Sequence, residues 1–116
     1  MFIKLNHKSL KIYEAIRELA GEVYSVSMKL ALEEKFNMVQ QMRRAALSVK
    51  LNLAEGSTGK SLNERKRFYE VARGSVVEID AVLETAVDLN YVKIDQLNSV
   101  TKLLNKCFAM LSNMIN

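Results

Sequence analysis

The sequence predicts an all-α protein in which a single domain, residues 1–116, folds as an antiparallel up-and-down four-helix bundle. Helix breakers are scarce, because proline is absent and glycine occurs only four times. Hydrophobic residues make up 49% of the 116 positions, which is enough to build one core. Four segments place apolar residues at the three- and four-residue steps of a helix packed along one face, and none alternates with the period of a strand.

The first two segments carry regular apolar stripes. The first stripe consists of Ile12, Ile16, Leu19, Val23, Val26 and Leu30. The second consists of Val39, Met42, Ala46, Val49 and Leu53. The stretch between them, KLALEEK, contains neither glycine nor proline, although Glu33 and Glu34 suit a helix N-terminus. One long bent helix is therefore an alternative to two separate helices.

The third and fourth segments repeat the same spacing. The third stripe consists of Phe68, Ala72, Ser75, Ile79, Val82, Ala86 and Leu89. The fourth consists of Leu97, Thr101, Leu104, Phe108, Leu111 and Ile115. Gly56 suits the left-handed position after helix two, and Ser61 with Glu64 has the form of a capping box that opens helix three. Asp95 is expected to cap helix four.

Some apolar residues lie outside these stripes. Leu47 and Leu51 project away from the helix-two stripe, and helix four carries a second stripe consisting of Val100, Leu103, Cys107, Met110 and Met114. A monomer would leave part of this surface in water, so the sequence predicts a homo-oligomer, and a simply wide core within one chain is the alternative. The candidate interface residues are Leu47, Leu51, Met110 and Met114. Small residues, Ala45, Ala46, Gly74 and Ser75, are expected to permit close approach of helices.

The stretch AEGSTGKS, Ala54 to Ser61, matches a relaxed Walker A pattern. A phosphate-binding loop follows a buried strand, whereas the residues before this one have helical spacing and Ala54 replaces the first glycine. We interpret the stretch as a hairpin between two helices and keep an ATPase as a third hypothesis. His7 stands alone, Cys107 lies in an apolar stripe, and the Glu-x-x-His pairs of metal-binding bundles are missing. We therefore expect no catalytic residue, no metal and no cofactor.

Basic residues gather around the second and third helices of a chain with net charge +4. Five of them are predicted to form one basic rim near the hairpin: Lys50, Lys60, Arg65, Lys66 and Arg67. Arg43, Arg44 and Arg73 lie off the core stripes. Bases at the start of helix three oppose the helix dipole, which indicates a partner such as phosphate. A solvated surface with Glu70 between Lys66 and Arg73 is the alternative, and the residues leave both open.

The N-terminal residues lack the apolar run of a signal peptide, and no stretch approaches the roughly 18 apolar residues that span a bilayer. We expect a soluble cytoplasmic protein without a membrane partner.

The run from Gln40 to Val92 contains a specific set of motifs: QQMRRA, NLAEG, RF and ARGS with Glu78. On these residues the sequence resembles the four-helix-bundle family of proteins encoded in 23S ribosomal RNA intervening sequences. It is also similar to the accessory variability determinant protein of diversity-generating retroelements. The resemblance implies a homopentamer without enzymatic activity, with RNA or DNA and a reverse transcriptase or other protein as partners. It marks as structural signature positions Asn52, Glu55, Gly56, Gly74 and Ser75. As phosphate contacts it marks Arg43, Arg44, Arg67 and Arg73.

Two main hypotheses follow. The first is a non-enzymatic oligomeric bundle that binds nucleic acid, RNA in particular, through backbone phosphates. The second is a protein-interaction scaffold or accessory subunit with no direct nucleic-acid contact, in which the basic residues form ion pairs between subunits.

Overall fold

The computed structural model describes residues 3–5, 8 and 10–116, and His7 lies outside them. Four α-helices follow one another: α1 (Lys11–Ser27), α2 (Met38–Ser57), α3 (Leu62–Asp88) and α4 (Asn98–Ile115). Short 3-10 turns, Leu32–Glu34 and Ile94–Leu97, lie before α2 and before α4. The described residues contain no strand, so the all-helical prediction is confirmed.

The helices pack in cyclic order. α1 contacts α2, α2 contacts α3, α3 contacts α4, and α4 returns to α1. Their buried side chains form one apolar cluster that draws on all four helices, with Met42, Ile79 and Leu111 among its fully enclosed members. This arrangement is consistent with a four-helix bundle.

The apolar stripe predicted for α1 is buried along its whole length, and it ends at Leu30, just beyond the helix. The stripe predicted for α4 is partly wrong. Thr101 is exposed and Phe108 is 43% exposed, whereas Val100 and Cys107 lie in the core. Two adjacent apolar stripes run along α4, and one residue turns the helix surface by about 100°. Contact with α1 and α3 therefore selects a buried face that takes residues from both stripes, with Leu104 from the first stripe among them.

The chain between α1 and α2 leaves the helical path at Ser27, so the alternative of one bent helix is wrong. The buried Ser27 hydroxyl donates to the Tyr24 carbonyl at 2.7 Å and accepts from Arg43 Nε at 2.8 Å. At the same end of the molecule, the Tyr91 hydroxyl donates to Glu34 at 2.9 Å and ties the α3–α4 connection to the α1–α2 connection. That hydrogen bond raises the pKa of Tyr91 to about 12.

Helix ends agree only partly with the predictions. The Ser61 hydroxyl accepts from the Glu64 amide at 3.1 Å and caps α3, as predicted. Asp95 does not cap α4, because it lies within a 3-10 turn and α4 begins without a side-chain cap. The left-handed residue is Asn90, with φ 61°, which ends α3. The amides of Asn90 and Tyr91 bond back to the carbonyls of α3 in a Schellman arrangement.

Gly56 does not adopt the predicted left-handed conformation. It lies inside α2 and is buried, because the ring of Tyr69 on α3 packs directly against it. A Cβ atom at this position would lie 2.6 Å from Tyr69 Cε1 and 3.1 Å from Phe68 Cβ. Gly56 therefore permits the last turn of α2 to approach the start of α3 closely.

Gly74 has the opposite environment. No other helix of the same chain approaches it closely, so the prediction that it permits close packing of helices within one chain is wrong. Gly74 is exposed on α3, and a Cβ atom there would have no neighbour within 4 Å. The adjacent Ser75 forms the interhelical contact instead. Its hydroxyl donates to Ser48 Oγ at 2.8 Å, which also accepts from Asn52 Nδ2 at 3.1 Å.

Replacing Gly56 with alanine is expected to lower the free energy of unfolding by about 1–2 kcal/mol, because the new methyl group overpacks the contact with Tyr69. Gly74→Ala is the matched control. It should raise the free energy of unfolding by up to about 1 kcal/mol, through helix propensity alone. Urea titration followed by circular dichroism measures both, and equal stabilisation by the two changes would contradict the tight contact.

Candidate nucleic-acid interface

Three of the eight predicted basic residues are held against aromatic rings of a neighbouring helix. The Arg43 guanidinium lies 4.7 Å from the centre of the Tyr24 ring on α1. The Lys50 ammonium lies 5.7 Å from the centre of the Tyr13 ring, which is also on α1. These two and Arg73, which lies 5.6 Å from the Phe108 ring on α4, are half-buried. Each contact fastens α2 or α3 to the adjacent helix.

Hydrogen bonds further engage two of these cations. Arg43 Nε donates to Ser27 Oγ at 2.8 Å, and an Arg73 amino group donates to Ser112 Oγ at 3.1 Å. These interhelical contacts were missed by sequence reasoning. For the contacts with α1, the available signal was the position of Tyr13 and Tyr24 just outside the predicted core stripe, where a base on the next helix reaches them.

Four other basic residues form what we call the basic end: Lys60, Arg65, Lys66 and Arg67. They surround the α2–α3 connection, where Lys60 lies in the loop and the other three in the first turns of α3. Lys66 is half-buried and the others are exposed. Within the described chain, no hydrogen bond or ion pair engages their cationic groups. Consecutive helical residues rise by about 1.5 Å, so these charges lie within one short stretch of surface.

The start of α3 strengthens the positive potential of the basic end. The first amides of a helix have no intrahelical acceptor and carry the positive end of the helix dipole. Ser61 satisfies the amide of Glu64, while the amides of Leu62 and Asn63 precede the first α-helical bond, from Arg65 to Ser61. The nearby carboxylate of Glu64 is exposed and does not cancel the four cations. Both the four cations and the positive end of the helix dipole therefore favour an anion at the basic end.

Lys50 does not join this group, so the predicted rim of five is reduced to four. It lies seven residues before Ser57, the end of α2, which is about 10 Å along the helix, and its ammonium lies over Tyr13 of α1. Arg44 is exposed and belongs to a different surface, a groove on the α1–α2 side of the bundle.

The candidate interface residues have two environments. Leu47 and Leu51 are exposed on α2. Met110 and Met114 are half-buried and pack against the core of their own chain. They do so because the second apolar stripe of α4 lies closer to the core than predicted. Only the α2 pair therefore presents extensive apolar surface.

Three signature residues meet at the contact between α2 and α3. Asn52 and Ser75 share the Ser48 hydroxyl, and Gly56 lies under the Tyr69 ring. Glu55 is exposed, and its carbonyl accepts from the amide of Thr58 at 3.2 Å in the last turn of α2. Gly74 is exposed on the outer side of α3.

The AEGSTGKS stretch lacks the surroundings of a phosphate-binding loop, since its first residues belong to α2 and no strand precedes them in the described chain. Burial raises the pKa of the Cys107 thiol to about 11, so this group stays protonated at neutral pH. The described residues contain no cluster of three or more histidine, cysteine or acidic side chains placed to hold a metal ion. In the same part of the chain, no helix combines the length and apolar character needed to cross a membrane.

Known proteins share both the sequence pattern and the fold. The family model described as 23S rRNA-intervening sequence protein matches residues 8–113. No curated protein matches the chain. A solved structure from Bacteroides thetaiotaomicron, described as a protein with unknown function from the S23 ribosomal protein family, has a TM-score of 0.82 and 21% sequence identity. The match covers 90% of this chain and 98% of that one, and at this identity it shows a shared fold.

Arg43→Ala is expected to lower the free energy of unfolding by about 1–2 kcal/mol, because it removes both the hydrogen bond to Ser27 and the contact with the Tyr24 ring. Arg44→Ala, one residue along the same helix, should change it by less than about 0.5 kcal/mol. Thermal and urea unfolding compare the two. Equal effects would show that Arg43 has no special role in joining α1 to α2.

Proposed function

The chain belongs to the 23S rRNA-intervening sequence protein family, and from that premise we propose that it is a non-enzymatic, homo-oligomeric helical bundle that binds RNA through backbone phosphates. The observation that carries the proposal is the basic end. It combines four cations that have no partner among the described residues with the positive end of the α3 dipole. The proposal includes an antiparallel up-and-down course of the helices and, from the family resemblance, five subunits.

Phosphate contact is the supported mode because the aromatic residues next to the basic end are not free to stack on bases. Tyr69 is buried against Gly56, and Phe68 is half-buried beside it. Base readout needs side chains that reach base edges, whereas flexible lysine and arginine side chains serve phosphates of any sequence. Binding is therefore expected to tolerate changes of sequence and to depend strongly on salt.

Self-association would increase the affinity for RNA, because the basic end of a single chain carries few cations. One chain offers four cations there, which supports few phosphate contacts. An oligomer repeats the same group on every subunit, so one RNA molecule engages several groups at a high effective concentration.

We propose the absence of enzymatic activity because the described residues bring no activated nucleophile together with a base. The Cys107 thiol is enclosed in the core and protonated, and Lys60 follows a helix rather than a strand. Nucleotide hydrolysis would accordingly be detected neither for ATP nor for GTP.

The second candidate function is a protein-interaction scaffold or accessory subunit, with a reverse transcriptase among the partner classes that the resemblance implies. It is favoured by the exposed apolar residues of α2, Leu47 and Leu51. In that case purification would recover a protein partner that survives nuclease treatment, and RNA affinity would be indifferent to the basic end.

Reversing two charges of the basic end, Arg65→Glu with Arg67→Glu, is expected to raise the dissociation constant for a structured RNA at least about tenfold at 0.1 M salt. It should also reduce the slope of log affinity against log salt by about one for each phosphate that is no longer neutralised. Fluorescence anisotropy with labelled RNA across a salt series measures both quantities.

The matched control is Lys102→Glu with Lys106→Glu, which changes the net charge equally on the exposed surface of α4. Once the effect of the changed net charge is allowed for, this control variant should keep most of the parent's affinity for RNA. If both pairs weakened binding equally, only overall charge would matter, and if neither did, phosphate contact by the basic end would be excluded.

A further inference from the structure

Two grooves on the surface of the bundle carry charges of opposite sign. The first, which we call the basic groove, has a volume of about 460 Å³ and lies on the α1–α2 side. Its main lining residues are Tyr24, Lys35, Phe36, Arg43, Arg44 and Leu47. Every charged side chain that lines it is positive.

The second, which we call the acidic groove, runs between α3 and α4 as two adjoining hollows of about 230 and 300 Å³. The hollows share Asp80, Thr101 and Leu104, so they form one continuous depression. Its main lining residues are Val77, Asp80, Glu84, Asp88, Ile94 and Phe108. Every charged side chain that lines it is a carboxylate, and the adjoining Arg73 is bonded to Ser112.

Both grooves also expose apolar side chains that a monomer has no reason to keep in water. Phe36 is 83% exposed at the basic groove, and Ile94 is 76% exposed at the acidic groove. Leu47 and Val77 add further exposed apolar area on the respective sides. Apolar area next to charges of a single sign favours a protein interface over a purely solvated surface.

The cyclic packing order places the two grooves on opposite sides of the bundle, since one lies on the α1–α2 pair and the other on the α3–α4 pair. One molecule can therefore use both grooves at once, with a different neighbour at each. A two-fold contact of either groove with itself would oppose like charges, which is unfavourable. Contact between unlike grooves is head-to-tail. It produces a closed ring when the rotation that relates one copy to the next divides a full turn evenly.

We propose that the basic groove of one copy seats the acidic groove of the next copy, so that the chain assembles head-to-tail through Lys35, Arg43 and Arg44 opposite Asp80, Glu84 and Asp88. The pairing rests on the self-association in the proposed function and is independent of its nucleic-acid binding. It assigns the basic residues to two tasks, in which the groove residues contact a neighbouring subunit and the basic end remains available for phosphate.

The test uses two double reversals that leave Arg43 in place, because Arg43 also joins α1 to α2. Lys35→Glu with Arg44→Glu reverses the basic groove, and Asp80→Lys with Glu84→Lys reverses the acidic groove. Multi-angle light scattering over a concentration series should show an oligomer for the parent chain. Each double variant should have a subunit dissociation constant raised at least about tenfold.

Combining all four reversals in one chain gives the two grooves net charges of opposite sign again, although Arg43 and Asp88 keep their original charges, and returns the net charge of the chain to that of the parent. This variant should assemble more tightly than either double variant, and an equimolar mixture of the two double variants should associate when neither does so alone. The Arg65→Glu with Arg67→Glu variant should assemble like the parent, which separates failure of assembly from failure of RNA binding.

Three results would overturn the pairing of grooves: a parent chain that is monomeric throughout, a double variant that assembles like the parent, or a fourfold variant that stays dissociated while circular dichroism shows full helical content. Failure of RNA binding with intact, charge-dependent assembly would instead overturn only the proposed function.

Discussion

The close approach of α2 and α3 at Gly56 determines where the basic end lies on the bundle. The Tyr69 ring occupies the space that any larger residue at Gly56 would need, and hydrogen bonds among Asn52, Ser48 and Ser75 continue the same contact along the two helices. Because α2 and α3 are held together beside their short connection, the basic end is concentrated on one edge of the bundle.

Placement within the bundle separates cations that look equivalent in the sequence. Arg43 and Arg73 donate hydrogen bonds to neighbouring helices and lie against aromatic rings, so removing either one perturbs the fold as well as any binding. Arg65 and Arg67 have no such role for their cationic groups among the described residues. Substitution of the former pair would change stability together with any RNA binding, whereas substitution of the latter pair would test RNA binding with little change in stability.

Much of the fold was predictable because helical periodicity is a local property. The stripe of α1, the Ser61 cap and the break between α2 and α3 at AEGSTGKS follow from neighbours three or four residues apart. The face of α4 was not predictable in the same way. Its buried face takes residues from both apolar stripes, and burial of Cys107 instead of Phe108 depends on how α1 and α3 are placed around α4. Gly56 was assigned to a helix end for a similar reason, since its true contact, Tyr69, lies thirteen positions further along the chain.

The sequence by itself determined that the chain is helical, where most of its helices lie, and that bases gather around the second and third of them, because composition, spacing and capping act over a few residues. Only the tertiary structure decided which bases are free. The partners of Arg43, Lys50 and Arg73 come from other helices, and the two grooves themselves form only where pairs of helices lie side by side. Contacts between residues distant in the chain depend on how whole helices are oriented, and local spacing does not encode that orientation.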